Sequence, residues 1–138
     1  MKYATRLNSY VADGRDVASA LREIAATGSI KFVDLNYPEH FTDLSVAEMG
    51  RLLGELGLTL NSVAMRFRKE FLHGEYTNRD PQLSRRAIEL TKEGIDATAA
   101  LGCDLVTVWL GYDGYDYTFQ KDYAAGINQV VAAFQELA

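Results

Sequence analysis

The sequence predicts an α/β chain of four strand-helix units in strict alternation, a parallel sheet with outer helices. Three observations carry this. Short runs rich in β-branched residues alternate with longer stretches of helical spacing. Those helical stretches carry recognisable start or stop signals, and successive units begin about 28 residues apart except for a longer third one. Right-handed crossovers turn such an alternation into a parallel sheet. Two architectures accommodate it: an open doubly wound sheet, or half of a (β/α)8 barrel. The segment Ser9-Tyr10-Val11-Ala12-Asp13-Gly14 after the first strand lacks the glycine spacing of a dinucleotide site, and no P-loop is present.

The elements follow in order. Tyr3 to Asn8 reads as the first strand, with a turn through Ala12-Asp13-Gly14. Asp16 precedes Val17, Leu21 and Ile24, which share one helical face, and Gly28 stands where a left-handed cap belongs. Ile30 to Leu35 is the second strand, and Pro38 forbids its ladder to continue through the loop Asn36 to Phe41. Ser45-Val46-Ala47-Glu48 is a capping box that predicts a helix from Val46 to Leu56, closed by Gly57. Leu58 to Met65 is the third strand. Asp80-Pro81 opens a helix whose face runs through Leu83, Ala87, Leu90, Gly94, Ala97 and Leu101 to Gly102, and its small residues predict close packing on a sheet. Leu105 to Leu110 is an unbroken apolar run, read as a fourth strand buried on both faces. Tyr123, Ile127, Val130, Phe134 and Leu137 mark the last helix.

Length and composition bound the partners. At 138 residues with 48% hydrophobic content, residues 1–138 are expected to form a single domain with a real core. A net charge of -5 supplies no basic face for a polyanion, so no nucleic-acid partner is expected. No apolar run approaches the length of a membrane span, and the N-terminus lacks the apolar core of a signal peptide. The single cysteine, Cys103, fits a reducing compartment and reads as core filler. A cytoplasmic protein with a small polar ligand is the expectation.

Two stretches carry a family resemblance. They are Gly74-Glu75-Tyr76-Thr77-Asn78-Arg79-Asp80-Pro81 with Arg86-Ala87, and Ala100-Leu101-Gly102-Cys103 leading through Val106-Thr107-Val108-Trp109-Leu110-Gly111 into Tyr112-Asp113-Gly114-Tyr115-Asp116-Tyr117-Thr118-Phe119-Gln120. The chain resembles the xylose-isomerase-like barrels, which include sugar isomerases, epimerases and barrel-type repair endonucleases, and it looks most like the bacterial sugar isomerase branch. The resemblance implies half of a (β/α)8 TIM barrel, the N-terminal half. It also implies a divalent metal (Mn, Mg or Co) for the complete barrel, with ligands mainly at the ends of the fifth to eighth strands and none bound by this half alone.

The candidate site residues gather on three loops. After the second strand stand Asn36, Glu39 and His40, and the resemblance implies that a histidine from this region touches the substrate near its carbonyl, which makes His40 the catalytic candidate. After the third strand, Arg66, with Arg68 beyond it, offers a planar fork for a carboxylate or phosphate. After the fourth strand, Trp109, Tyr112, Asp113, Tyr115 and Asp116 mix aromatic faces with carboxylates, a combination that suits sugar C-H surfaces and hydroxyls. Glu39, Asp113 and Asp116 are the candidates for a carboxylate pair. His73 reads as solvated, and two histidines without paired spacing assemble no metal site. The expected function is thus the N-terminal half of a metal-dependent sugar isomerase or epimerase, inactive alone, acting on a small sugar. The alternative is a half-barrel scaffold that closes with a copy of itself rather than with a missing C-terminal half. A repair endonuclease is disfavoured by the charge.

Overall fold

Four parallel strands lie side by side in chain order in the computed structural model, which describes residues 3–138. They are β1 (Ala4–Arg6), β2 (Phe32–Tyr37), β3 (Thr59–Met65) and β4 (Val106–Val108). The sheet order β1-β2-β3-β4 is that of a barrel wall. A doubly wound sheet reverses its order at a switch point, so the open-sheet architecture is set aside. The helices are α1 (Asn8–Val11), α2 (Val17–Ala26), α3 (Val46–Leu56), α4 (Pro81–Ala100) and α5 (Tyr123–Leu137).

Local chemistry sets most of these boundaries. The Asp16 carboxylate accepts from the Ser19 amide at 2.8 Å and starts α2, and Gly28 takes the left-handed φ of 70° beyond its end. At α3 the Ser45 hydroxyl and Glu48 carboxylate cap each other's amides, and Gly57 closes the helix in the left-handed region. The ladder of β2 stops at Tyr37, immediately before Pro38, which has no amide to donate. Between β2 and β3 the register slips by one residue at Val33 and Asp34, leaving Asn61 unpaired as a bulge. The Asp34 carboxylate takes both neighbours there, from Asn61 Nδ2 and Ser62 Oγ at 2.7 Å each.

The chain forms two compact units, one holding residues up to Arg66 together with Gly94–Val108, the other Phe67–Glu93 with Trp109–Ala138. In the first, Leu21 and Ile24 of α2, Val33 and Leu35 of β2, Met49 and Leu53 of α3, and Leu60 and Val63 of β3 form one buried cluster. Each such side chain contributes about 1.5–3 kcal/mol of burial. The small-residue face of α4 is used as expected: Gly94 lies on Met65 and Tyr37, and a Cβ there would overlap the Met65 sulfur. In the second unit Tyr76 is the centre. Its ring meets Phe67 and Phe134 edge-on at 5.8 and 5.9 Å, and its hydroxyl donates to Thr91 Oγ1 at 2.8 Å, which in turn donates to the Ala87 carbonyl.

Three expectations need correction. The first strand is shorter than Tyr3 to Asn8, because the chain turns at Leu7 and Asn8 starts α1. The fourth strand covers only Val106–Val108 and is not buried on both faces: it pairs with β3 alone, Thr107 is exposed, and Leu105 is 50% exposed. An apolar run is buried only where something packs on it, and local composition does not encode that partner. The apolar marks of α5 are likewise largely exposed, Ile127 at 63%, while Gly126 and Ala133 are the residues this helix buries.

Candidate functional site

In the first unit, the carboxyl end of β2 folds back on itself. A single 3-10 turn, Glu39–Phe41, returns His40 to the strand, where the Asn36 amide donates to His40 Nδ1 at 3.0 Å. Because Nδ1 accepts, the neutral ring carries its proton on Nε2 and meets a partner there as a donor. Burial depresses the imidazole below its ordinary value of 6.5. The Glu39 charge opposes that shift, and the Arg66 charge adds to it. The Asn36 side-chain amide donates to Asn8 Oδ1 at 3.0 Å and to Glu39 Oε2 at 3.1 Å, and Arg66 Nε lies 3.9 Å from the same Glu39 oxygen.

Asn36, Glu39, His40 and Arg66 are therefore gathered into one polar network. Asn36 and His40 are buried within it. Asn8 is a member that sequence reasoning missed. Its position two residues beyond Arg6, as Asn36 is two beyond Arg6's partner Asp34, was the available signal.

In the second unit the loop after β4 is fastened to the segment before α4 at four points. Glu75 Oε1 accepts from the amides of Gly111 and Tyr112 at 3.0 and 3.2 Å. Gly114, at a φ of 80°, sits so close to the His73 carbonyl that any Cβ would overlap it. Lys121 Nζ donates to Thr77 Oγ1 at 3.0 Å and to the Asp113 carbonyl at 3.4 Å. The Arg79 guanidinium lies over the Tyr115 ring, 4.2 Å from its centroid. Asn78 holds the donor side of this arrangement rigid, giving Nδ2 to the Gly74 carbonyl and accepting the Asp80 amide on Oδ1. Asp80 then accepts the Gln82 amide at the start of α4.

The two stretches that carry the family resemblance thus interlock. Glu75 is the residue that sequence reasoning did not single out: 1% exposed, it is pushed above its ordinary carboxyl value of 4.5 by burial, against the pull of the two amides and of Lys121.

The other proposed contacts fall on this platform or off it. Tyr112 and Asp113 line a cleft of about 580 Å³ with Glu75, Lys121 and Tyr123. The Asp113 carboxylate accepts the Tyr115 amide on one oxygen and the Tyr123 hydroxyl on the other. Trp109 is 63% exposed. Asp116 has an exposed side chain and engages the loop only through its amide, which donates to Gln120 Oε1. His73 and Arg68 are exposed. No group of three or more His, Cys, Asp or Glu among the described residues is arranged to hold a metal ion, so the donor set present does not fit a divalent cation. Among the described residues no helix is long and apolar enough to cross a membrane.

Comparison with known proteins follows the fold. Residues 20–138 match a family model described as xylose isomerase-like TIM barrel. Among solved structures, an L-ribulose 3-epimerase superposes with a TM-score of 0.72 at 19% identity, over 100% of this chain and 45% of that one. A D-psicose 3-epimerase from Clostridium cellulolyticum H10, with D-tagatose, gives 0.69 at 18% identity, over 99% of this chain and 47% of that one. A xylose isomerase domain protein from Alicyclobacillus acidocaldarius gives 0.67 at 15% identity, over 100% and 45%. The chain spans about half the length of each.

Proposed function

Because the chain belongs to the xylose isomerase-like TIM barrel family, we propose that it supplies the first four strand-helix units of a barrel that isomerises or epimerises a small sugar. The observation that carries this reading is the network of Asn36, Glu39, His40 and Arg66 at the carboxyl ends of parallel strands, where such barrels place their ligand sites. His40 offers an Nε2-H donor to a sugar carbonyl or hydroxyl oxygen, and Glu39 offers a carboxylate acceptor held in place by Asn36. Arg66 supplies positive charge beside them. In the second unit, taken by itself, Trp109, Tyr112 and Tyr115 are proposed to offer aromatic faces to a sugar's C-H surface, and Asp113 and Asp116 acceptors to its hydroxyls. The likeness to an L-ribulose 3-epimerase and a D-psicose 3-epimerase supports a ketose as the substrate class.

Among the described residues no group of His, Cys, Asp or Glu is arranged to hold the divalent metal (Mn, Mg or Co) that the resemblance implies. Turnover is assigned to the complete barrel. The test is titration of the 138-residue chain with D-tagatose and L-ribulose, followed by amide NMR and by proton exchange at the sugar in D2O with Mn²⁺ added. The expected result is saturable shifts at residues 36–41 and 109–116 without exchange. Exchange would show that these residues suffice for catalysis, and absence of any shift would remove the sugar assignment.

A second reading rests on the sheet edges. Among the described residues β1 pairs only with β2 and β4 only with β3, and a half-barrel with two such edges can close with a second copy. Sedimentation at graded concentrations decides it, since a monomer of 15.3 kDa throughout excludes self-association.

A further inference from the structure

Two cations of the second unit share one aromatic ring, in a chain whose net charge is -5. Arg79 and Lys121 both approach the Tyr115 ring, at 4.2 and 5.4 Å from its centroid, and form no ion pair among the described residues. They line one cleft of about 480 Å³, together with Thr77, Ser84 and Gln129. We propose that this cleft binds the phosphate group of a small phosphorylated molecule.

The carboxylates around the pair, Asp122 on the cleft wall among them, form hydrogen bonds rather than ion pairs with it, and Glu75 acts on Lys121 from beyond ion-pair distance. Asp80 accepts the Gln82 amide, Asp122 the Ala125 amide, and Asp113 the Tyr115 amide and the Tyr123 hydroxyl. Arg85, on the same cleft, is already neutralised by Glu89 and Glu136. Two like charges facing one ring repel each other, and the ring quadrupole offsets only part of that repulsion. A dianion between them removes the rest.

The donors left over suit it. Lys121 uses two of its three N-H groups on Thr77 and the Asp113 carbonyl, which leaves one. A guanidinium lying over an aromatic ring keeps its in-plane N-H groups for an oxyanion. The hydroxyl of Thr77 accepts from Lys121 and retains its own proton to donate. None of its cations belongs to the Asn36-His40 network, while Tyr115 is shared with the sugar reading, so the responses of Arg79 and Lys121 are what separate the two.

The test uses the whole chain titrated with inorganic phosphate at constant ionic strength, chloride being the balancing anion, and read by amide NMR. The expected result is a saturable response centred on Arg79, Tyr115 and Lys121, weakened about tenfold or more by Arg79→Gln, which corresponds to roughly 1.4 kcal/mol. Lys121→Gln should weaken it similarly. Arg79 is exposed, so its substitution reports binding even if the Lys121 variant unfolds. Arg79→Lys should restore part of the affinity, through charge without the fork. Shifts scattered over the other basic residues, or no saturation, would overturn the proposal. Acetate binding as well as phosphate would overturn the phosphate assignment in favour of a general carboxylate pocket.

Discussion

Glu75 Oε1 lies 3.0 Å from the Gly111 nitrogen, a buried carboxylate reaching 36 residues along the chain to accept an amide of the loop after β4. The Tyr112 amide shares the same oxygen. Residues Tyr112 and Asp113, proposed to meet a sugar, are therefore set by a side chain that need not touch it.

Glu75→Ala leaves two amide donors without their acceptor and is expected to destabilise the second unit by about 1–3 kcal/mol. Glu75→Gln keeps an acceptor oxygen and should cost less. The pH dependence separates them further. Because burial raises this carboxyl above 4.5, its contribution to stability is fully present below that value and is lost as pH rises through the raised one. Wild type should show this loss and Glu75→Gln should not. Amide hydrogen exchange at Gly111 and Tyr112 is the local measurement.

His40 behaves oppositely. Its imidazole is held below 6.5, so the stability it contributes is present above 6.5 and is lost as pH falls through the depressed value. Denaturant midpoints should fall over that window, and His40→Gln should flatten the profile. A wild-type curve without any decline there would show that protonation of His40 is not coupled to folding.

Asn36→Asp replaces a double donor with acceptors facing the oxygens of Asn8 and Glu39. The expected cost is about 2 kcal/mol, larger than that of most surface changes. Urea denaturation measures it, and ketose shifts at His40 should weaken in parallel.

Gly114→Ala and Gly14→Ala form a matched pair. Both glycines have φ near 80°, at 80° and 78°, but a Cβ at 114 overlaps the His73 carbonyl while one at 14 meets nothing within 4 Å. The second change should cost about 1 kcal/mol from backbone conformation alone, and the first clearly more. Equal losses would mean that the contact with His73 is not a constraint.

What could be read from the sequence was the chemistry that acts over a few residues. Ser45 with Glu48, Gly57, Asp16 and the break at Pro38 each satisfy or remove backbone groups nearby; α2 and α3 stand where expected, while β2 runs on to Tyr37, two residues past the expected end at Leu35. The run from Leu105 to Leu110 misled because apolarity records a tendency to be covered without naming what covers it. At the candidate site, Asn36, Glu39 and His40 lie within one turn of chain, and their grouping was legible. Glu75 was not: a lone glutamate between Gly74 and Tyr76 has no spacing signature when its partners are two amides at 111 and 112. His40's use of Nδ1 as an acceptor was also hidden, since it depends on the curl of the turn after Pro38.

The four-point attachment of the 111–121 segment to residues 73–79 bears on engineering. A designer wishing to alter ligand preference would ordinarily graft a new sequence between Trp109 and Lys121. Such a graft, made alone, would discard the side-chain partners of Thr77 and Arg79, namely Lys121 and Tyr115, and place any side chain at position 114 against the His73 carbonyl. The two segments are a single exchangeable cassette, to be transplanted together or left as they are.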